Sequence, residues 1–160
     1  MKKYLWILVV MSVFLATNVL AGEEDDVLGK WLTEKGTSQV EIFKNGTKFN
    51  GKIVLLKEPV YGKEDSMAGK TKVDRRNPDL SKRNDPLLGK EMIKDFVYDK
   101  GAKKWINGKI YNPEDGNIYN CYLAFEKDGR LIVRGSIDAW GLIGKTQFWE
   151  KVKEENGSEK

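Results

Sequence analysis

The sequence predicts an all-β fold: a single antiparallel barrel of eight strands with one long loop, preceded by a signal peptide. Two observations carry the prediction. From Asn117 to Glu126 the chain alternates, with Tyr119, Cys121, Leu123 and Phe125 on one face and Asn120, Tyr122 and Glu126 on the other. Such a period of two belongs to a strand with one buried face. Turn signals bound it on both sides: Asn112-Pro113-Glu114-Asp115-Gly116 and Lys127-Asp128-Gly129 supply a fixed φ from Pro and positive φ from Gly where the chain reverses.

The expected strands are 28–34, 38–44, 47–56, 91–99, 103–111, 117–126, 130–138 and 145–152. The first carries Gly29-Lys30-Trp31 and the last carries Trp149 and Lys151. Together Trp31, Trp149 and Lys151 are expected to close the barrel, one Trp plugging an end and a cation lying over it. Lys35-Gly36 and Asn45-Gly46 are tight-turn signals around the second strand. Val40, Ile42, Phe49, Ile53 and Leu55 then form the buried face of the second and third. The fifth contains Asn107-Gly108-Lys109-Ile110, an echo of Asn50-Gly51-Lys52-Ile53 in the third; each Gly is read as a bend or a close approach of backbone. In the seventh, Leu131, Val133 and Ile137 face inward against Arg134, Ser136 and Asp138.

Met1-Lys2-Lys3, the apolar run Tyr4 to Ala16 and the small residues ending at Ala21 have the order of a secretory signal peptide, with residues 1–21 removed. The run is too short for the roughly 20 residues that span a bilayer, and no Cys follows Ala21 for acylation. The product is expected to be periplasmic or secreted, with no stable membrane span after cleavage. Losing Lys2 and Lys3 leaves 26 basic residues against 24 acidic ones, so the net charge falls from +4 to +2. Export and that small charge argue against nucleic acid as a partner. Residues 22–27 read as an acidic leader and 153–160 as a polar tail, both mobile, bracketing a barrel domain at 28–152. Cys121 is the only cysteine, which excludes an intrachain disulfide, and its place on the apolar face makes it a buried small hydrophobe.

Residues 57–90 form the long loop, with nine Lys or Arg and six Asp or Glu. A connection of that length is functional or disordered. Asp74, Arg75, Arg76, Asn77, Asp79 and Arg83 are its candidates for meeting a partner, an anionic envelope component in particular. The oxygen-bearing residues have no recognised calcium spacing and suit turns and caps better, so no metal site or cofactor is expected. The chain has no His. This excludes His-dependent nucleophile pairs and leaves only carboxylate or Ser–Lys chemistry, for which Asp115, Asp138 and Glu150 are weak candidates. No catalytic residue is assigned, and the protein is not expected to be an enzyme.

With these residues in view, the sequence resembles the exported bacterial domain-of-unknown-function family 2147 from about Leu28 to Lys151. The resemblance rests on Gly29-Lys30-Trp31, Asp74-x-x-Asn77-Pro78-Asp79 leading to Arg83 and Pro86-Leu87-Leu88-Gly89, Trp105-x-x-Gly108-Lys109-Ile110-Tyr111, Gly116-x-x-Tyr119, Arg134-Gly135 and Gly144-x-x-Gln147-x-Trp149. Asn112, Ser136 and Lys151 depart from it, standing where Asp, an aromatic residue and Arg are usual. The resemblance implies a small lipocalin-like, calycin-type barrel and no established activity.

The functional expectation is a binding protein for a small apolar or amphipathic ligand, with Phe49, Ile53, Tyr119, Leu123, Phe125 and Val133 lining the lumen. Eight strands sit at the margin between a filled interior and room for one small ligand. Rings meeting across the axis would close the lumen. The alternative is a filled barrel that docks an envelope partner through loop 57–90.

Overall fold

Eight segments that each present one apolar face can bury them all, and leave no open edge, by closing on themselves. The computed structural model describes residues 23–153 and shows that closure. The strands are β1 (Gly29–Leu32), β2 (Ser38–Asn45), β3 (Lys48–Leu56), β4 (Glu91–Asp99), β5 (Lys104–Asn112), β6 (Asn117–Phe125), β7 (Leu131–Ser136) and β8 (Gly144–Lys151). They run antiparallel in sequence order around a closed barrel. The seam between β1 and β8 is short, pairing Trp31 with Lys151 and Leu32 with Glu150, and is extended by Val152 N donating to Lys30 O at 2.9 Å. The segments expected as a signal peptide, residues 1–21, and as a polar tail beyond Lys153 lie outside the described residues, among which no helix is long and apolar enough to cross a membrane.

Register shifts in β3, β4 and β5 set which side chains face in. In β3 the register shifts so that Gln39 faces Leu55 while Val40 faces Ile53. The extra residue reverses the alternation, so Leu55, expected in the core, is 43% exposed and Leu56 turns toward the lumen instead. In β4, Asp95 adopts φ 66° and Ile93 and Phe96, three apart, are both buried. Asn50 stabilises that kink, its buried Oδ1 accepting from Asp95 N at 3.0 Å. In β5 a shift between Trp105 and Gly108 accompanies φ 61° at Asn107. A Cβ on Gly108 would lie 2.2 Å from the Phe96 ring, and one on Gly51 would lie 3.2 Å from both Ile93 and Val40. The repeated Asn-Gly-Lys-Ile therefore marks two places where neighbouring side chains cross bare backbone.

The core is concentrated at one end. Trp31, Trp105, Phe49, Phe96, Leu123 and Leu131 are buried there. Trp105 meets Phe49 and Phe125 edge-on at 6.3 and 5.5 Å, and Phe125 lies 5.9 Å from Trp31. Each such side chain contributes roughly 1.5–3 kcal/mol by leaving water.

That end is sealed by residues that the sequence suggested were a mobile leader. Glu23–Val27 is a 3-10 helix with Val27 wholly buried. Trp31 Nε1 donates to Val27 O at 2.8 Å and Trp105 Nε1 to Glu24 O at 3.1 Å, while Lys44 pairs with Glu24 and Asp25 and Lys103 with Glu23. Two buried indole N–H groups need acceptors, and the segment's carbonyls supply them. The folded domain thus begins before Leu28.

Candidate functional site

The other end of the barrel holds a cavity of about 820 Å³. Its inner wall is apolar: Ile53, Met92, Ile110, Val133 and Trp149, with Tyr119 and Gln147 among them. Its rim is formed by the turn after β1, the end of β3, residues 111–115 and the loop from β7 to β8, with Lys35, Lys57, Lys72 and Lys145 beside Glu58 and Glu114. Because Lys35, Lys57 and Lys145 are exposed, the cavity opens to solvent on this side. Two small residues create the room. Gly135 occupies an inward position on β7 between Val133 and the rim, and Ser136 beside it keeps its hydroxyl on Asp138 O at 3.0 Å.

The six predicted lumen residues divide between the two ends. Ile53, Tyr119 and Val133 line the cavity. Phe49, Leu123 and Phe125 do not; they pack in the filled end, and this corrects their assignment. Rings do meet across the axis, but only in that half. The physical reason is their neighbours: Leu123 stands opposite Trp105 in the β5–β6 register, Phe49 meets the Trp105 ring edge-on, and Phe125, 36% exposed, packs against Trp31 and Trp105, so the two indoles take the space beside all three.

Two of the three closure residues meet directly. Lys151 Nζ lies 4.4 Å from the Trp31 ring centroid and donates to Leu28 O and, at 3.5 Å, to Asp26 O. Trp149 belongs to the same buried cluster as Trp31 and also forms part of the cavity wall, its Nε1 donating to Gln147 Oε1 at 2.9 Å.

Loop 57–90 packs against the open end. Tyr61 is its own small core: the hydroxyl accepts from Val73 N and donates to Val73 O, both at 3.1 Å, and Arg75 lies over its ring at 4.7 Å. Asp74 is the anchor. It is fully buried, pairs with Lys90 at 2.7 Å, and accepts from Tyr111 Oη and Asn77 Nδ2 at 2.6 Å each. Burial opposes its charge, but the hydrogen bonds from Lys90, Tyr111 and Asn77 outweigh that and hold its carboxyl below the ordinary value. Burial and that same carboxylate push the Tyr111 hydroxyl up. Where the loop crosses the turn after β5, a Cβ on Gly116 would lie 2.0 Å from Arg76 O.

These contacts correct the loop's proposed partner-binding set. Asp74 and Asn77 are buried inside the fold and do not face outward. Arg75 pairs with Asp65 at 2.9 Å, Arg83 Nε donates to Asn77 O at 2.8 Å, and Asp79 caps the 3-10 turn Leu80–Lys82 through Ser81 N at 3.0 Å. The Asp79 carboxyl is lowered to about 2, first by the Ser81 hydroxyl and then by Lys82. Only Arg76 of the six extends outward without a side-chain contact of this kind.

The weak carboxylate candidates have structural roles as well. Asp115 accepts from Tyr119 Oη at 2.7 Å and from Asn117 N and Asn112 Nδ2 at 2.9 Å, and Asp138 accepts from Leu142 N and Ile143 N at 2.9 and 2.7 Å. Glu150 is exposed on β8. Among the described residues no group of three His, Cys, Asp or Glu is placed to hold a metal ion.

Residues 29–151 match the family described as "Uncharacterized protein conserved in bacteria (DUF2147)". The chain is a DUF2147 protein. A solved relative, the Helicobacter pylori protein HP1028, which is described as belonging to the lipocalin family, is similar to this DUF2147 chain at 28% identity with a TM-score of 0.66. The similarity covers 81% of this chain and 84% of that one. A comparison with curated proteins found no match. The DUF2147 barrel described above is thus lipocalin-like, with one filled end and one open end.

Sequence reasoning missed Met92, Ile110, Gln147 and Gly135 as lining residues. Their signal was faint: Ile110 and Gln147 alternate into the lumen, but nothing local says at what height the packing stops.

Proposed function

We propose that this protein is an exported, periplasmic binding protein that holds one small amphipathic molecule in the open half of its barrel. The observation that carries this reading is the cavity itself, whose volume lies within the roughly 300–1,000 Å³ of ordinary ligand pockets. The apolar inner wall suits a hydrocarbon portion, and the Lys35, Lys57, Lys72 and Lys145 rim suits a polar or anionic head. The lipocalin description of the HP1028 relative supports a binding role. The alternative of partner docking through loop 57–90 is less well supported, since Arg75 and Arg83 are committed to contacts within the loop.

The test is native mass spectrometry of the protein recovered from the exported fraction without detergent, with organic extraction of bound material. Gly135→Phe is the matched variant: a Cβ there meets Ile110 and Tyr119 at 3.5 and 3.7 Å, ordinary contact, so a larger side chain extends into the cavity without displacing backbone. An added mass on the wild type that is lost in Gly135→Phe, with unfolding still cooperative, is the expected result. A clean mass that stays clean after incubation with fatty acids and lysolipids would refute the reading.

A further inference from the structure

We propose that the loop joining β7 to β8, residues 137–143, is a docking finger that sets the mouth of the barrel against an anionic lipid bilayer. The inference rests on the lumen reading for its purpose, delivery or removal of the bound molecule, but on separate residues for its evidence. Ile137, Trp140, Leu142 and Ile143 are 67%, 85%, 79% and 63% exposed. They are four of the six most exposed large apolar side chains among the described residues, gathered within seven positions. Scattered apolar residues on a surface need no explanation, whereas a contiguous group with Trp at its centre marks a contact surface.

The loop is built to present them. Asp138 accepts from Leu142 N and Ile143 N, Ile137 N donates to Ile143 O at 3.0 Å, and Ser136 Oγ and Asn120 Nδ2 hold Asp138 O at 3.0 and 3.2 Å. Arg134 reaches the far side, Nε and Nη2 donating to Gly141 O at 3.1 and 2.6 Å while Nη1 donates to Thr146 Oγ1 at 3.0 Å. An apolar cavity lies beside the loop, yet Trp140 and Leu142 are directed away from it into solvent. The loop's hydrogen bonds also satisfy the backbone N–H groups of Ile137, Leu142 and Ile143 and the carbonyls of Asp138, Gly141 and Ile143, which a lipid environment would otherwise leave without water.

Lipid fits the chemistry better than a protein groove. The surface is a convex tip carrying Trp and branched aliphatics, the composition that partitions into a bilayer interface. Lys145 immediately after the loop and Lys57 across the mouth are exposed, and neither forms an ion pair among the described residues, so both can meet anionic headgroups. Finally, Ile137 and Ile143 belong both to the exposed tip and to the cavity wall. An apolar path therefore runs from the tip into the lumen, which a bilayer contact would place against acyl chains.

The experiment is co-sedimentation of the processed, exported protein, its N-terminus verified by intact mass, with vesicles of phosphatidylcholine alone or mixed with phosphatidylglycerol. The variant is Trp140→Ser with Leu142→Ser. Partitioning onto the mixed vesicles is expected to fall at least about tenfold in the variant, since withdrawing one large apolar side chain from lipid already corresponds to about that factor. The ligand mass and the cooperative melt should be unchanged. Equal binding of variant and wild type overturns docking and leaves the lumen reading intact. Loop-dependent vesicle binding with a lumen that is clean by mass supports docking and removes the lumen reading. A wild type that ignores vesicles but dimerises through the loop, with the variant monomeric, overturns the inference in favour of a second copy.

Discussion

Replacing Asp74 by Ala isolates the contact that ties loop 57–90 to the barrel. Asp74 is inaccessible and the Lys90 side chain is 15% exposed. Removing the carboxylate leaves a mostly buried ammonium without its counter-ion, and leaves Tyr111 Oη and Asn77 Nδ2 without their acceptor. Breaking one partner of a buried pair costs about 3–5 kcal/mol. Lys90 keeps 15% of its side chain exposed and can reach water, so the lower end applies, about 3 kcal/mol. For a domain of this length that corresponds to a fall in Tm of roughly 10 °C. The double variant Asp74→Ala with Lys90→Met should recover part of the loss, because no unpaired charge remains to be buried. The pH dependence has a definite sign. The folded carboxyl lies below its ordinary value of 3.8, so its stabilisation is fully present above that pH and is lost as pH falls through the folded value. Urea melts at pH 7 and at pH 3 measure both effects. A difference at pH 7 below about 1 kcal/mol, the size of one ordinary hydrogen bond, or a gap as large at pH 3 as at pH 7, would refute the argument.

Two further outcomes test the packing. Gly108→Ala places a methyl 2.2 Å from the Phe96 ring where Gly51→Ala makes contacts of 3.2 Å, so in chemical denaturation the first should lose at least about 1–3 kcal/mol and more than the second. Cys121 is buried and its thiol is pushed up to about 12 by that burial; a thiol reagent at pH 8 should modify it only at the rate of unfolding, and prompt labelling of native protein would contradict its placement.

Much of the barrel was legible because strand signals are local. The alternation through Tyr119, Cys121, Leu123 and Phe125, and Gly residues at the Asn45-Gly46 and Asn112 to Gly116 turns, require only neighbours in sequence. Errors arose where a distant contact overrides alternation. Ile137, expected inside, lies beyond the end of β7 in a loop shaped by Asp138 and Arg134, and Ser136 is buried instead. Leu55 turned outward because an extra residue in β3 reversed the pleat. Glu23–Val27 looked like a charged leader since its four acids dominate the composition, whereas its value to the fold lies in two carbonyl groups and Val27.

The sequence by itself determined the class, the approximate positions of the strands and the turns, because hydrophobic period and turn chemistry act over a few residues. It could not say that one end fills while the other stays open. That depends on which rings share a height along the axis, and on Gly135 and Ser136 facing a wall contributed by Ile53 and Ile110 from distant strands. It could not show that loop 57–90 is anchored, since Asp74, Lys90 and Tyr111 meet only after the barrel has closed. Height in the barrel and the pairing of buried charges are properties of the assembled structure, and tertiary packing alone decided them.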